Sequence, residues 1–131
     1  RLDGHVYVLA GDGEMNEGTM WEAALFCGSE KLDNLTLIID DNCSIDAMID
    51  IRSIQDKMKA FGFEVITANG HNITDIRKAL LYRFENKPVA IIAQTKRGYG
   101  SATIMTDNTW FHRAPTEQEL IRLKKEVDDF E

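Results

Sequence analysis

Four short apolar runs constrain this chain more than anything else in it: HVYVLA at 5–10, LTLII at 35–39, FEVIT at 63–67 and PVAIIA at 88–93. Three of them are nearly continuous in Val, Ile and Leu, as strands covered on both faces by helices should be, and FEVIT departs only by one alternating Glu. Helical patterns separate the runs, and a parallel neighbour can be reached only through such a crossover. Strand, helix, strand repeated three times therefore predicts an α/β chain: a mostly parallel, doubly wound sheet with flanking helices. At 131 residues with 44% hydrophobic side chains the chain is long enough for one domain, read as 1–131, and too short for two. A chain of this size buries roughly two-thirds of its unfolded surface, so the core needs neither disulfides nor a metal.

The helices carry their own signals. Ile73, Ile76, Leu80 and Phe84 recur at three- and four-residue spacing, which places one apolar stripe on the sheet and leaves Arg77, Lys78 and Arg83 in water. Ser53 with Asp56 and Asn72 with Asp75 approximate capping boxes. Thr116 with Glu119, directly after Pro115, is a fuller example and opens a polar last helix whose VDDFE end reads as a solvated surface. The first helix, expected over about 16–31, differs: Met20, Trp21, Ala23, Ala24, Leu25, Phe26 and Cys27 leave almost no polar face. A helix apolar all round is buried on several sides, so cover from an upstream segment or a partner subunit is expected, and Ala23, Ala24 and Gly28 would let another helix approach closely. The few residues before the first strand give the same expectation of sequence upstream.

Charge and hydropathy remove whole classes of function. Fifteen basic against 22 acidic residues give a net charge of −7, the wrong sign for a nucleic-acid binder. A bound phosphorylated cofactor needs only local positive potential and stays open. No apolar run approaches the ~20 residues of a membrane span, and RLDGHVYVLAGDG lacks the order of a signal peptide. A cytoplasmic location is the expectation. Cys27 and Cys43 show no metal or redox spacing and read as reduced, small hydrophobic residues.

In a doubly wound sheet ligands bind beyond the carboxyl ends of the strands. Those ends read Gly11-Asp12-Gly13, Asp40-Asp41-Asn42, Asn69-Gly70-His71 and Thr95-Lys96-Arg97-Gly98-Tyr99-Gly100. Gly-Asp-Gly is a common hairpin turn, but here it follows a strand and precedes a helix, which favours a loop whose N–H groups face an anion. Asp12 would hold a hard divalent cation against that anion, with Asn42 as the second oxygen ligand from a neighbouring strand end. A rival reading takes LTLIIDDN as the first strand of a response-regulator receiver. The phospho-accepting Asp should then end the strand near residue 93, and IIAQTK contains no acid. Of the histidines, His5 and His71 read as structural, and His112 in TWFHRAP, a lone His in a loop, is on spacing alone more often a surface or core residue than a catalytic one.

Together these residues resemble the thiamine-diphosphate signature of transketolases. GDGEMNEGTMWEAALFCGSEKLDNLTLIIDDN places 28 residues between Gly13 and Asn42, and Glu17-Gly18, Trp21-Glu22-Ala23-Ala24, Leu32-Asp33-Asn34-Leu35, AFGFEV, NGH and HRAP follow in the order of that family. The resemblance covers nearly the whole chain. It implies a thiamine-diphosphate-binding fold of which the chain is a partial domain, incomplete at its amino terminus. It implies Asp12 and Asn42 as Mg2+ ligands, with a backbone carbonyl near Ser44 as a third. Gly11, Gly13 and Glu14 would contact the diphosphate, Glu17 would lie in a network at the subunit interface, and His112 would reach cofactor and substrate. The implied reaction is transfer of a two-carbon ketol unit between ketose and aldose (phospho)sugars in a homo- or hetero-oligomer, with a pyrimidine-binding domain or subunit completing the site. This chain alone is expected to be inactive. A non-catalytic scaffold and a 1-deoxyxylulose-phosphate synthase are the alternatives. One departure stands out: Arg113 occupies the place where the family usually has Gly, adding charge and bulk beside His112.

Overall fold

The computed structural model describes residues 4–43, 51, 53–107, 109–110 and 113–130, which divide into two compact units, one ending at Thr95 and the other starting at Lys96. The first unit holds the sheet. Its strands are β1 (Val6–Gly11), β2 (Leu35–Asp41), β3 (Glu64–Asn69) and β4 (Val89–Gln94), all parallel and ordered β1-β2-β4-β3. Each predicted run is a strand; three are displaced by one or two residues toward the polar carboxyl end, and β2 keeps its expected start and runs two residues further. The helices between them are α1 (Gly18–Ser29), α2 (Ile54–Ala60) and α3 (Ile73–Leu81).

Chain order explains why helices lie on both faces. The steps from β1 to β2 and from β2 to β3 run in one direction across the sheet, whereas the step from β3 to β4 runs back. Crossovers of one hand then place α1 and α2 on one face and α3 on the other. The core divides accordingly. Met20, Trp21 and Cys27 of α1 and Ile54 and Met58 of α2 pack with Leu37, Ile39, Ala90 and Ile92, while Ile76, Ala79 and Leu80 of α3 pack with Ile38, Ile66, Val89 and Ile91. Central β4 is buried from Val89 to Ala93.

Three local expectations are corrected. Ser53 precedes α2 in the left-handed region, at φ 58°, and its side chain caps nothing, because the backbone there has already turned the hydroxyl away from the first amides. The stripe of α3 is narrower than its spacing suggested: the helix stops before Phe84, and Ile73 is 86% exposed and lines an open groove with Ile76, Leu80 and Leu81. Helix α1 starts at Gly18 after a 3-10 turn over Glu14–Asn16, and only Ala24 of it is fully buried, Leu25 and Phe26 being 55% and 62% exposed. Its outward apolar face, like the exposed side chains of Val6, Val8 and Leu9 on edge strand β1, finds no cover within the described residues.

Close backbone approach fixes α1 on its own face. A Cβ at Gly28 would stand 1.6 Å from the Phe61 carbonyl oxygen, so α1 meets the turn after α2 with no room for a side chain.

The second unit contains α4 (Ala102–Thr106) and α5 (Glu117–Asp128). Thr116 and Glu119 form the full capping box expected of them, satisfying two amides that the first turn of α5 would otherwise leave open. Helix α4 was not foreseen. Buried Ser101 caps it by accepting from the Ile104 amide at 3.2 Å. The Glu126 carboxylate on α5 reaches back to the Thr103 amide and the Ser101 and Thr103 hydroxyls.

Candidate functional site

The register of β1 with β2 builds the site. Gly11 pairs with Asp40, and the Asp12 amide continues the ladder by donating to the Asp40 carbonyl at 3.0 Å. The Gly-Asp-Gly loop and the Asp-Asp-Asn segment, with 26 residues between them in sequence, thus leave the sheet side by side at its carboxyl edge. Met15 is wholly buried and anchors the 3-10 turn that follows, so the loop is pinned at both ends. Asp12 is 3% exposed.

Two amides of the loop are directed inward. Gly11 donates to the Glu14 carboxylate at 2.7 Å, and Gly13 donates to the Asp12 carboxylate at 2.8 Å. These two N–H groups were expected to face an anion; in this structure they hold carboxylates, because acidic acceptors stand within three residues of each. Glu17 is exposed at the N-cap of α1 and makes no side-chain cap.

The end of β2 is organised through its neighbour β4. Thr95 donates its hydroxyl to one oxygen of Asp40, and the Asn42 amide nitrogen donates to the other at 3.1 Å. The Thr95 amide donates to the Asp41 carbonyl at 3.1 Å, extending the β2–β4 ladder by one more bond. The turn after β3 closes on the same place: Gly70 donates to the Gln94 carbonyl at 2.7 Å, and a Cβ on Gly70 would stand 2.2 Å from the Thr95 methyl. The His71 amide donates to the Asn69 side chain at 3.0 Å. His5, at the opposite edge, shares a 2.8 Å hydrogen bond with the Thr36 hydroxyl, and burial together with nearby Arg83 lowers its pKa.

The residue types at this edge fit a hard cation. Asp12 and Asn42 offer carboxylate and amide oxygens from adjacent strand ends, and a Mg2+ ion retains several waters besides such ligands. No group of three or more His, Cys, Asp or Glu side chains gathers as a metal site among the described residues. Ser44 and His112 lie outside the described residues. The structure brings together Gly11, Asp12, Gly13, Glu14 and Asn42, and adds two residues that were not singled out as site residues, Asp40 in its side-chain role and Thr95. The bond joining those two spans 55 residues and has no sequence signal beyond two polar groups at strand ends.

In the second unit Arg113 is fully engaged. Its guanidinium makes a two-point pair with Glu119, both contacts at 2.9 Å, and stacks 3.6 Å over the Trp110 ring. The charge expected to stand beside His112 is thereby matched locally. Hydrogen bonds from Arg113 and from the Thr116 amide hold the Glu119 carboxyl down at about 2. The cysteines form no disulfide among the described residues. Cys27 is half-buried, with its thiol pKa raised by that burial, whereas Cys43 is exposed.

Residues 1–131 match the family model described as transketolase, thiamine diphosphate binding domain. The chain is 32% identical to one of the subunits of the apulose-4-phosphate transketolase of Phocaeicola vulgatus, over 98% of this chain and 48% of the relative. It is 36% identical to the transketolase of Mus musculus, over 88% of this chain and 19% of that protein. The crystal structure of a Campylobacter jejuni transketolase superposes with a TM-score of 0.82 at 33% identity, covering 97% of this chain and 21% of the other. The chain thus spans about half the length of the subunit-type relative and about a fifth of the other two.

Proposed function

Since the chain belongs to the transketolase family through its thiamine-diphosphate-binding domain, we propose that it supplies the diphosphate and Mg2+ half of a ketol-transferring site, as a partial domain spanning residues 1–131. The observation that carries this reading is the pairing of Gly11 with Asp40, continued by the Asp12 amide, which sets Asp12 and Asn42 on adjoining strand ends. Asp12 and Asn42, with a backbone carbonyl near Ser44, hold the cation, and the Gly11, Gly13 and Glu14 loop lies against the diphosphate. Electrostatics support the metal. Asp12, Glu14, Asp40 and Asp41 all belong to the ends of β1 and β2, and a divalent cation offsets the repulsion a diphosphate would meet from carboxylates there.

When bound, thiamine diphosphate supplies the nucleophile and electron sink for breaking and forming a carbon–carbon bond. The rest falls to protein side chains. Asp12 and Asn42 fix the position of the diphosphate end, and His112 polarises substrate oxygens or moves protons at them. The substrates are ketose and aldose sugars or their phosphates. A pyrimidine-binding domain or subunit completes the site, and one relative is itself named as one subunit of a transketolase. The outward apolar face of α1, opened by Glu17, suits an oligomeric contact. The setting is cytoplasmic.

The test is reconstitution. The chain is mixed with a pyrimidine-domain subunit of a two-subunit transketolase, thiamine diphosphate and Mg2+, and ketol transfer is followed with ketose phosphate donors against pyruvate. Transfer from the ketose that disappears with Asp12→Asn supports the reading. Turnover of pyruvate instead points to a synthase, and assembly without turnover of either donor points to a scaffold.

A further inference from the structure

We infer that Asp40, itself held by Thr95, is a positioning residue for Asn42, deciding which end of the Asn42 amide meets the cation; the inference rests on the reading of Asp12 and Asn42 given above. The Asp40 side chain takes one donor on each oxygen, the Thr95 hydroxyl on one and the Asn42 nitrogen on the other. A carboxylate only accepts, so the Asn42 group facing it must be the NH2. The amide oxygen of Asn42 lies on the far side of the same carbon and therefore points away from Asp40. An asparagine turned over about that bond would present N–H donors to a cation and repel it. Asp40 removes that alternative.

Asp40 is in turn prevented from rotating. Its backbone is locked between β1 and β4, paired with Gly11 on one side and Ala93 on the other. Thr95 is fixed by its own amide bond to the Asp41 carbonyl and by the close passage of Gly70 against its methyl. The ends of β1, β2 and β4 and the turn after β3 thus hold Asp40 through its backbone or through Thr95, and its carboxylate does no chemistry but holds one amide in the productive orientation. Groups that orient a metal ligand in this way typically contribute about 10- to 100-fold in metal affinity.

The probe is Mn2+, a paramagnetic stand-in for Mg2+, titrated into the chain with thiamine diphosphate and read by electron paramagnetic resonance, alongside thermal unfolding of each variant. Asp40→Ala should weaken Mn2+ binding by about tenfold or more, and Asp40→Asn should recover part of it because an amide oxygen can still accept from Asn42. Thr95→Val should weaken binding less than Asp40→Ala does, and Thr95→Ser should match the parent. The unfolding midpoints of the two Thr95 variants should stay together while their Mn2+ affinities separate, which a purely structural role would not produce. Should Asp40→Ala fail to fold, the Thr95 pair decides. Binding by Asp40→Ala, or by Thr95→Val where that pair decides, at the parent's affinity while Asp12→Asn loses it would overturn the positioning role and leave the metal reading standing. A parent that binds no better than Asp12→Asn would overturn both.

Discussion

Single residues at this sheet edge follow from close approach and from what each side chain can donate or accept. Asp12 and Asn42 could be picked out in the sequence because a carboxylate after a strand, 30 positions before an amide after the next, is a pattern with a chemical reason. Asp40 and Thr95 could not be joined that way, since their bond depends on β4 lying next to β2, a fact of strand order. Glu14 was named for cofactor contact, and its bond to the Gly11 amide was hidden in the 3-10 turn. Gly28 is as informative. In an ordinary helix interior, Gly→Ala gains roughly 0.5–1 kcal/mol. Here the added methyl would meet the Phe61 carbonyl oxygen at 1.6 Å, so Gly28→Ala should instead lose about 1–3 kcal/mol, as overpacking does. Urea unfolding of the two proteins decides the sign, and a more stable Gly28→Ala would contradict the packing of α1 described above.

At the scale of elements, strands and cap chemistry were the legible parts. Every apolar run became a strand, and Thr116 with Glu119 became a capping box, because both depend on neighbours in sequence. The failures have different sources: Ser53 sits in a left-handed turn, Ile73 lies exposed outside the stripe, and α4 depends on a tertiary partner, its start being secured by Glu126 from another helix. The anchoring of α5 has a pH signature. Glu119 titrates at about 2 when folded, against 4.5 for a free glutamate, through the Arg113 pair and the Thr116 amide. Glu126 is lowered too, by the hydroxyls of Ser101 and Thr103 and the Thr103 amide. With folded values depressed, the unfolded chain binds more protons in this window. The stabilisation is complete above 4.5 and is lost as pH falls toward about 2. Denaturation midpoints measured across that range should fall for the parent and fall less steeply for Glu119→Gln; identical slopes would contradict the pairing.

For the whole molecule, a parallel doubly wound sheet could be expected from alternating patterns, but the order β1-β2-β4-β3 could not, since nothing local records the reversal between β3 and β4. The expectation that α1 needs outside cover has a concrete form in Leu25 and Phe26, which stand exposed beside Glu22 on its outer face. Sedimentation should show the chain associating, and Leu25→Glu combined with Phe26→Ser should shift it toward monomer without changing its circular dichroism. A parent that stays strictly monomeric at high concentration would count against an interface there. The central claim, that this edge holds a diphosphate through a divalent cation, is tested most directly by calorimetric titration of the chain with thiamine diphosphate, with and without Mg2+. Binding that requires Mg2+ and vanishes in Asp12→Asn is the expected result; binding that is indifferent to both would contradict it.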